Sequence, residues 1–159
     1  MNLRPYSPTD WERLCLVHDA ARIYELEASG LAAAFLTLEV TAENEGLFDG
    51  EVVVAEVEGE VRGFVACVEG ELTWLYVEPS RYQQGIGRQL LRHAIAASGG
   101  NISTDVLVGN EAALALYLSE GFKVERRVDG KLAGNESFAA SGYVLQRTTS
   151  EASQETPSK

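Results

Sequence analysis

The clearest pattern in the chain is EVVVAEVEGEVRGFVACVEGELTWLYVEP, residues 51–79, where β-branched and aromatic residues crowd into three runs. Glu58-Gly59-Glu60 and Glu69-Gly70 interrupt them. Short Gly-centred breaks between β-rich runs predict a three-strand antiparallel meander. Beyond Pro79 the period changes. Ile86, Leu90, Leu91, Ala94 and Ile95 share one side of a helix, and Arg88, Gln89, Arg92 and His93 share the other. Residues 85–98 therefore read as an amphipathic helix, stopped by Gly99-Gly100. ISTDVLV (102–108) is a further strand. Asn110 opens a helix over 111–119, and Gly121 ends it. FKVERRV and GYVLQR are the last strands, joined by a loop over 129–141.

The N-terminal third is less regular. Leu3 to Tyr6 reads as a short strand. Thr9 and Glu12 have the spacing of a capping box, and Trp11, Leu14, Cys15, Val17 and His18 carry a helical pattern towards Leu26, as one helix or two. Residues 29–50 combine an Ala/Leu-rich piece with the loop-like TAENEGLFDG. The order of elements predicts a mixed α/β layer in one domain over residues 1–148. Residues 149–159 are polar and aperiodic, and are expected to be a disordered tail.

Composition narrows the function classes. The chain has 159 residues, 45% hydrophobic and 23% charged, which suits a single globular domain. No apolar run reaches the roughly 20 residues a bilayer span needs, and the N-terminus lacks a secretory signal block. Cys15 and Cys67 stand far apart, without metal-ligand spacing. These features predict a cytoplasmic, metal-free protein that does not enter membranes. A formal charge of −11 argues against a nucleic-acid partner. Ten acidic residues and no Lys or Arg lie between Glu25 and Glu60, whereas Arg81 to Arg147 holds eight basic and six acidic residues. Such asymmetry suits a site that takes an anion at one end and a cation at the other, although acidic residues also serve solubility alone.

Candidate chemistry centres on VEPSRYQQGIGRQLL, residues 77–91. A strand leads through a Gly-containing loop into a helix N-terminus, where amides without intrahelical partners and the macrodipole favour an anion. Gly85 and Gly87 would admit a phosphate to the amides of residues 83–88, with Arg81 and Arg88 supplying charge. The dinucleotide fingerprint needs a third glycine where Leu90 stands, and no Gly-Lys-Ser/Thr follows, so neither a nicotinamide nor a nucleoside triphosphate is specified. Asn110 suits a helix cap, and Tyr117 suits a core position on its helix.

Together, V-x-P followed by the glutamine-containing loop and G-I-G-R-x-L-L, then N-E-A-A-L-A-L-Y-L-S-E-G-F, resemble the GNAT superfamily of N-acetyltransferases. The resemblance covers nearly the whole globular part and is most specific from Leu72 to Phe122. It implies a mixed, mostly antiparallel central sheet of about seven strands with about four flanking helices. It implies acetyl-CoA as cosubstrate, without a metal. The pantetheine arm would lie between diverging strands 71–78 and 102–108, paired with main-chain groups of Leu75, Tyr76 and Val77. The diphosphate would lie on Tyr82, Gln83, Gln84, Gly85, Ile86, Gly87 and Arg88, with Asn110 beyond. The family usually carries Arg or Gln where Tyr82 stands, and Arg81 or Gln83 are candidates to substitute. The resemblance further implies direct transfer to a primary amine of a small molecule or peptide. The N–H of Val77 would stabilise the oxyanion, and Tyr117 would act as the acid. Glu71 is a candidate base, with Glu78 or a water relay as alternatives. Cys67 reads as a buried small residue, and His18 and His93 as poor candidates. Residues 25–50 and 129–141 would shape the acceptor pocket, the acidity of the first favouring a cationic amine. Relatives are often dimers, which admits a homodimer. The alternative is a non-catalytic acyl-CoA-binding module of the same fold.

Overall fold

The structure is a computed structural model that describes residues 1–149. Of the expected C-terminal tail, residues 150–159 lie outside the described residues. Seven strands are joined in a single sheet: β1 (Asn2–Pro5), β2 (Glu51–Val57), β3 (Glu60–Val68), β4 (Glu71–Val77), β5 (Ile102–Leu107), β6 (Lys123–Leu132) and β7 (Asn135–Arg147). Their spatial order is β1-β2-β3-β4-β5-β7-β6. Every neighbouring pair is antiparallel except β4 and β5.

The meander forms as the glycine breaks predict. Glu58 and Gly59 have φ of 55° and 83°, and Glu69 and Gly70 have 47° and 82°. Positive φ at both central residues is the two-residue turn whose twist matches a hairpin. Residues 52–55 of β2 are all buried, because both faces of the sheet are covered. Val52 and Val54 meet α1 (Trp11–Ala28) and α2 (Leu38–Thr41), in a core with Leu14, Val17, Leu38, Phe64 and Trp74. Val53 and Ala55 face the other core, with Leu90 and Leu91 of α3 (Ile86–Ala97) and Tyr117 of α4 (Glu111–Ser119). Helices 3 and 4 end at Gly99-Gly100 and Gly121, all with positive φ.

Two expectations need correction. The N-terminal cap lies two residues earlier than Thr9 and Glu12: a 3-10 turn over Pro8–Asp10 precedes the helix, and Ser7 N–H donates to Asp10 Oδ2 at 2.9 Å. Arg4 bonds the same carboxylate at 2.8 and 2.9 Å, which fixes Asp10 in that role. The expected loop over 129–141 is instead the far half of a long hairpin. β6 and β7 stay paired through Asp129↔Ser141, Gly130↔Ala140 and Lys131↔Ala139, leaving Ala133-Gly134 as the turn. Leu132 and Phe138 hold this end against Leu26, Ala34 and Phe35.

Candidate active site

The site begins at a fork in the sheet. β4 and β5 run parallel but share one register pair, Glu71↔Ser103. Ser103 N–H donates to Gly70 O at 2.9 Å and Thr104 Oγ1 to Leu72 O at 3.0 Å, closing the narrow end. Beyond it the strands diverge. A bulge at Thr73, where Cys67↔Leu72 gives way to Ala66↔Trp74, turns Leu72 and Trp74 to opposite faces. Glu78 N–H donates to Arg62 O of β3 at 2.8 Å. Antiparallel alternation then commits the main chain of Tyr76 to β3 as well, and turns that of Leu75 and Val77 towards the open fork. Tyr76, expected to offer main-chain groups, is thus occupied by its neighbour strand.

The wide end of the fork meets the N-terminus of α3. Gly85 caps the helix at φ 83°, after Gln83 at 63°. The first closing bond runs from Gln89 N–H to Gly85 O, so the amides of Ile86, Gly87 and Arg88 precede the helical ladder. Gly87 has no positive φ, and a Cβ there would meet Val77 Cγ2 at 3.6 Å and Leu116 Cδ2 at 3.8 Å, both ordinary contacts. The packing of the protein does not require glycine at 87. The two arginines expected at this mouth are otherwise engaged. Arg88 pairs with Glu120 and donates to Ser119 Oγ at 2.9 Å, and Arg81 pairs with Glu58 at 3.1 Å. The backbone amides, not free guanidinium groups, are the anion-attracting element. Tyr82 rests edge-on against Tyr24 of α1 at 6.1 Å, and burial first, then Glu25, pushes its phenol up to about 12.

On the opposite face lies a cavity of about 320 Å³. Its walls include Ala34, Thr41 and Glu45 from the α1–β2 segment and Leu132, Gly134 and Asn135 from the hairpin tip, the two regions expected to shape a pocket. Asn135 Nδ2 donates to Ala34 O at 3.0 Å and ties them together. Glu71 and Asp105 line it from β4 and β5, and His18 and Arg22 from α1. Glu71, Glu45 and Asp105 outnumber Arg22, so the cavity is acidic. Glu78, the other carboxylate considered as a base, accepts from Arg13 and Arg62 at 2.7 Å and Ser80 at 2.9 Å. Burial opposes its ionisation, but these three donors win and hold it below the usual carboxylate range. Its three donors make it an ion-pair anchor.

Behind Arg22 is a compact polar network. Glu25 Oε1 accepts from Arg22 at 2.6 Å and from the Tyr76 hydroxyl at 2.8 Å, and Oε2 accepts from Asn110 at 3.4 Å. Asn110 also caps α4, accepting from Ala113 N–H at 3.3 Å. Tyr117, 5% exposed, packs edge-on to Phe122 at 5.2 Å, with Thr104 near its hydroxyl at the closed end of the fork. Burial raises its pKa, so it stays a phenol at neutral pH. The Cys67 thiol is pushed up to about 11, by burial first and then by Glu51, which keeps it a thiol. His93 is partly exposed, 3.9 Å from Glu51 and away from the cavity.

Sequence reasoning overlooked His18, Arg22 and Glu25 as a group. Their spacing of four and three residues places them on one helical stripe, and a polar stripe inside an otherwise apolar helix face was the signal.

Comparison with known proteins agrees with this geometry. Residues 48–124 match the acetyltransferase (GNAT) domain family. The chain is 36% identical over 86 residues to the N-alpha-acetyltransferase RimI of Mycobacterium tuberculosis, covering 54% of this chain and 52% of the relative. It is 29% identical over 107 residues to the peptidyl-lysine N-acetyltransferase YjaB of Salmonella typhimurium, covering 67% of this chain and 63% of that protein. The matches thus span between about half and two thirds of those relatives' lengths. A GCN5-related N-acetyltransferase from Rhodopseudomonas palustris shares the fold, with a TM-score of 0.77 at 16% identity over 92% of this chain and 94% of its own. The matched domain, the forked seven-strand sheet and the glycine-capped helix at its mouth together support a GNAT superfamily N-acetyltransferase.

Proposed function

We propose that the protein is an acetyl-CoA-dependent N-acetyltransferase that moves the acetyl group directly to a primary amine of a small molecule or peptide. The fork carries this reading. Its two parallel strands separate beyond Leu72, leaving Leu75 and Val77 main-chain groups facing a gap that ends at the α3 amides. The residues fit the cosubstrate: an extended pantetheine arm suits the strand edge, and a diphosphate suits residues 82–88 at the helix tip. Arg88, held by Glu120, would contribute through its amide, and Asn110 would orient the α4 end of the channel.

The chemistry then follows from placement. The acceptor amine enters from the acidic cavity, where Glu45, Glu71 and Asp105 favour a cationic group. The N–H of Val77 would donate to the oxyanion that forms as nitrogen attacks the thioester carbonyl. As the C–S bond breaks, Tyr117, a neutral phenol on the opposite face, would protonate the sulfur. Glu71, at the cavity wall, would attract the ammonium and is one candidate to take its proton. The names of the relatives, one acting on N-terminal amines and one on lysine side chains, support an amine acceptor without choosing between them. Among the described residues no helix is long and apolar enough to cross a membrane, and the reading assigns the reaction to the cytoplasm, where acetyl-CoA is at hand.

The experiment is thiol release from acetyl-CoA over a panel of primary amines and N-terminal peptides, with calorimetry of acetyl-CoA binding alongside. Turnover on at least one amine is expected. Binding without turnover on any amine would favour an acyl-CoA-binding module, and absence of binding would refute both.

A further inference from the structure

His18 is a buried titratable group for which the scheme above has no use. The ring is 2% exposed and lines the acidic cavity. It is wedged between Tyr76, edge-on at 4.9 Å, and Trp74 at 5.7 Å, both from β4 beside the fork. Its Nδ1 lies 2.9 Å from Asp19 Oδ1. The same oxygen accepts Leu38 N–H at 2.9 Å, which anchors the carboxylate to the start of α2. A carboxylate in this position accepts, so Nδ1 carries the hydrogen and Nε2 presents its lone pair. Among the described residues, the buried side-chain N and O atoms without a partner are Ser29 Oγ, Arg62 Nε and Thr148 Oγ1. Nε2 is not one of them and has no protein partner, and the ring it belongs to lines the cavity.

We propose that His18 is the general base of the acetyl transfer, with Asp19 as the positioning residue that sets its tautomer. This inference rests on the acetyltransferase reading and deepens it. Nε2 takes a proton from the acceptor's ammonium; the nitrogen lone pair forms the C–N bond, and the C–S bond breaks. Of the two protons that leave the nitrogen, one ends on sulfur by way of Tyr117 and the other passes through His18 to the solvent side of the cavity. His18 lies on the α1 face and Tyr117 on the α3–α4 face, so base and acid flank the fork from opposite sides. Glu71 then serves to attract the ammonium.

The charge environment fits a base that is free at neutral pH. Burial, the largest influence, lowers the imidazole pKa. Asp19 and Glu25 oppose it, while Arg22 reinforces it. From the other elements around the cavity, Glu45, Glu71, Asp105 and the Tyr76 hydroxyl face the same space.

The test is the pH profile of kcat at saturating amine, for an amine found in the panel above. The unaltered protein should lose rate on acidification with an inflection below 6.5. His18→Gln should lower kcat about 100-fold and abolish the inflection, with acetyl-CoA affinity within about twofold by calorimetry. Should that variant not fold, Asp19→Ala decides: it removes the acceptor that keeps the hydrogen on Nδ1 and the lone pair on Nε2, and should lower kcat at least about tenfold. Glu71→Gln should keep the inflection whatever it does to KM. An inflection that survives in His18→Gln, disappears in Glu71→Gln, or persists at full rate in Asp19→Ala overturns the assignment. Failure of the unaltered protein to release thiol with every amine would remove the parent reading, and this one with it.

Discussion

Replacing Gly87 by Ala should strengthen the protein and weaken its grip on acetyl-CoA. The glycine is the second residue of α3 and has an ordinary helical φ, so alanine enters without backbone strain. Its methyl group would lie 3.6 Å from Val77 Cγ2 and 3.8 Å from Leu116 Cδ2, in normal van der Waals contact. Restricting the unfolded chain at a compatible site stabilises by about 0.4–1 kcal/mol, which for this size corresponds to a rise of about 1–4 °C in Tm. That methyl group also projects into the slot between β4 and α4, at the tip of the helix. If a diphosphate rests there, losing even one charge-assisted hydrogen bond costs about 1.5–3 kcal/mol, an affinity loss of about 10- to 100-fold. Differential scanning calorimetry and titration calorimetry with acetyl-CoA read the two effects separately. Gly85→Ala is the contrast. Its φ of 83° lies in the left-handed region with open space around it, so alanine should cost about 1–2 kcal/mol. Unchanged acetyl-CoA affinity in Gly87→Ala would show that nothing approaches that backbone, and a lowered Tm would refute the packing argument.

Three further outcomes are expected. Tyr117→Phe should reduce kcat by about 100-fold, with acetyl-CoA affinity preserved; equal turnover would remove the phenol from the mechanism. Glu78→Gln leaves Arg13 and Arg62 facing a neutral amide, and since these side chains are 27% and 16% exposed, the cost is discounted to about 1–2 kcal/mol, measured by urea unfolding. Acid should weaken the fold in two stages, followed by urea midpoints against pH. His18 has a folded pKa below its unfolded value of 6.5, so the unfolded chain binds more protons in that interval and stability falls as pH drops through it. Glu78, depressed from 4.5, adds a second loss below that value; a flat midpoint between pH 7 and 5 in the unaltered protein, or the same slope in His18→Gln, would contradict the first stage.

Local pattern determined much of this protein. The meander, the ends of α3 and α4 and the strand after each were legible because Gly breaks, Asn110 and period-matched apolar faces act within a few residues of themselves. The two glycine-bearing motifs located the mouth of the fork for the same reason. What the tertiary structure alone decided involves partners far apart in the chain. Residues 129–141 read as a loop since Gly130, Gly134 and small exposed residues erase any alternation there; pairing of β6 with β7 and docking of Leu132 on Leu26 made them strands. Arg88 read as a free cation until Glu120, 32 positions away, engaged it. His18 read as unpromising because burial, its orientation by Asp19 and its place against Trp74 and Tyr76 exist only once α1 packs on β4. Propensity acts between neighbours in sequence, whereas charge pairing, desolvation and cavity walls act between neighbours in space.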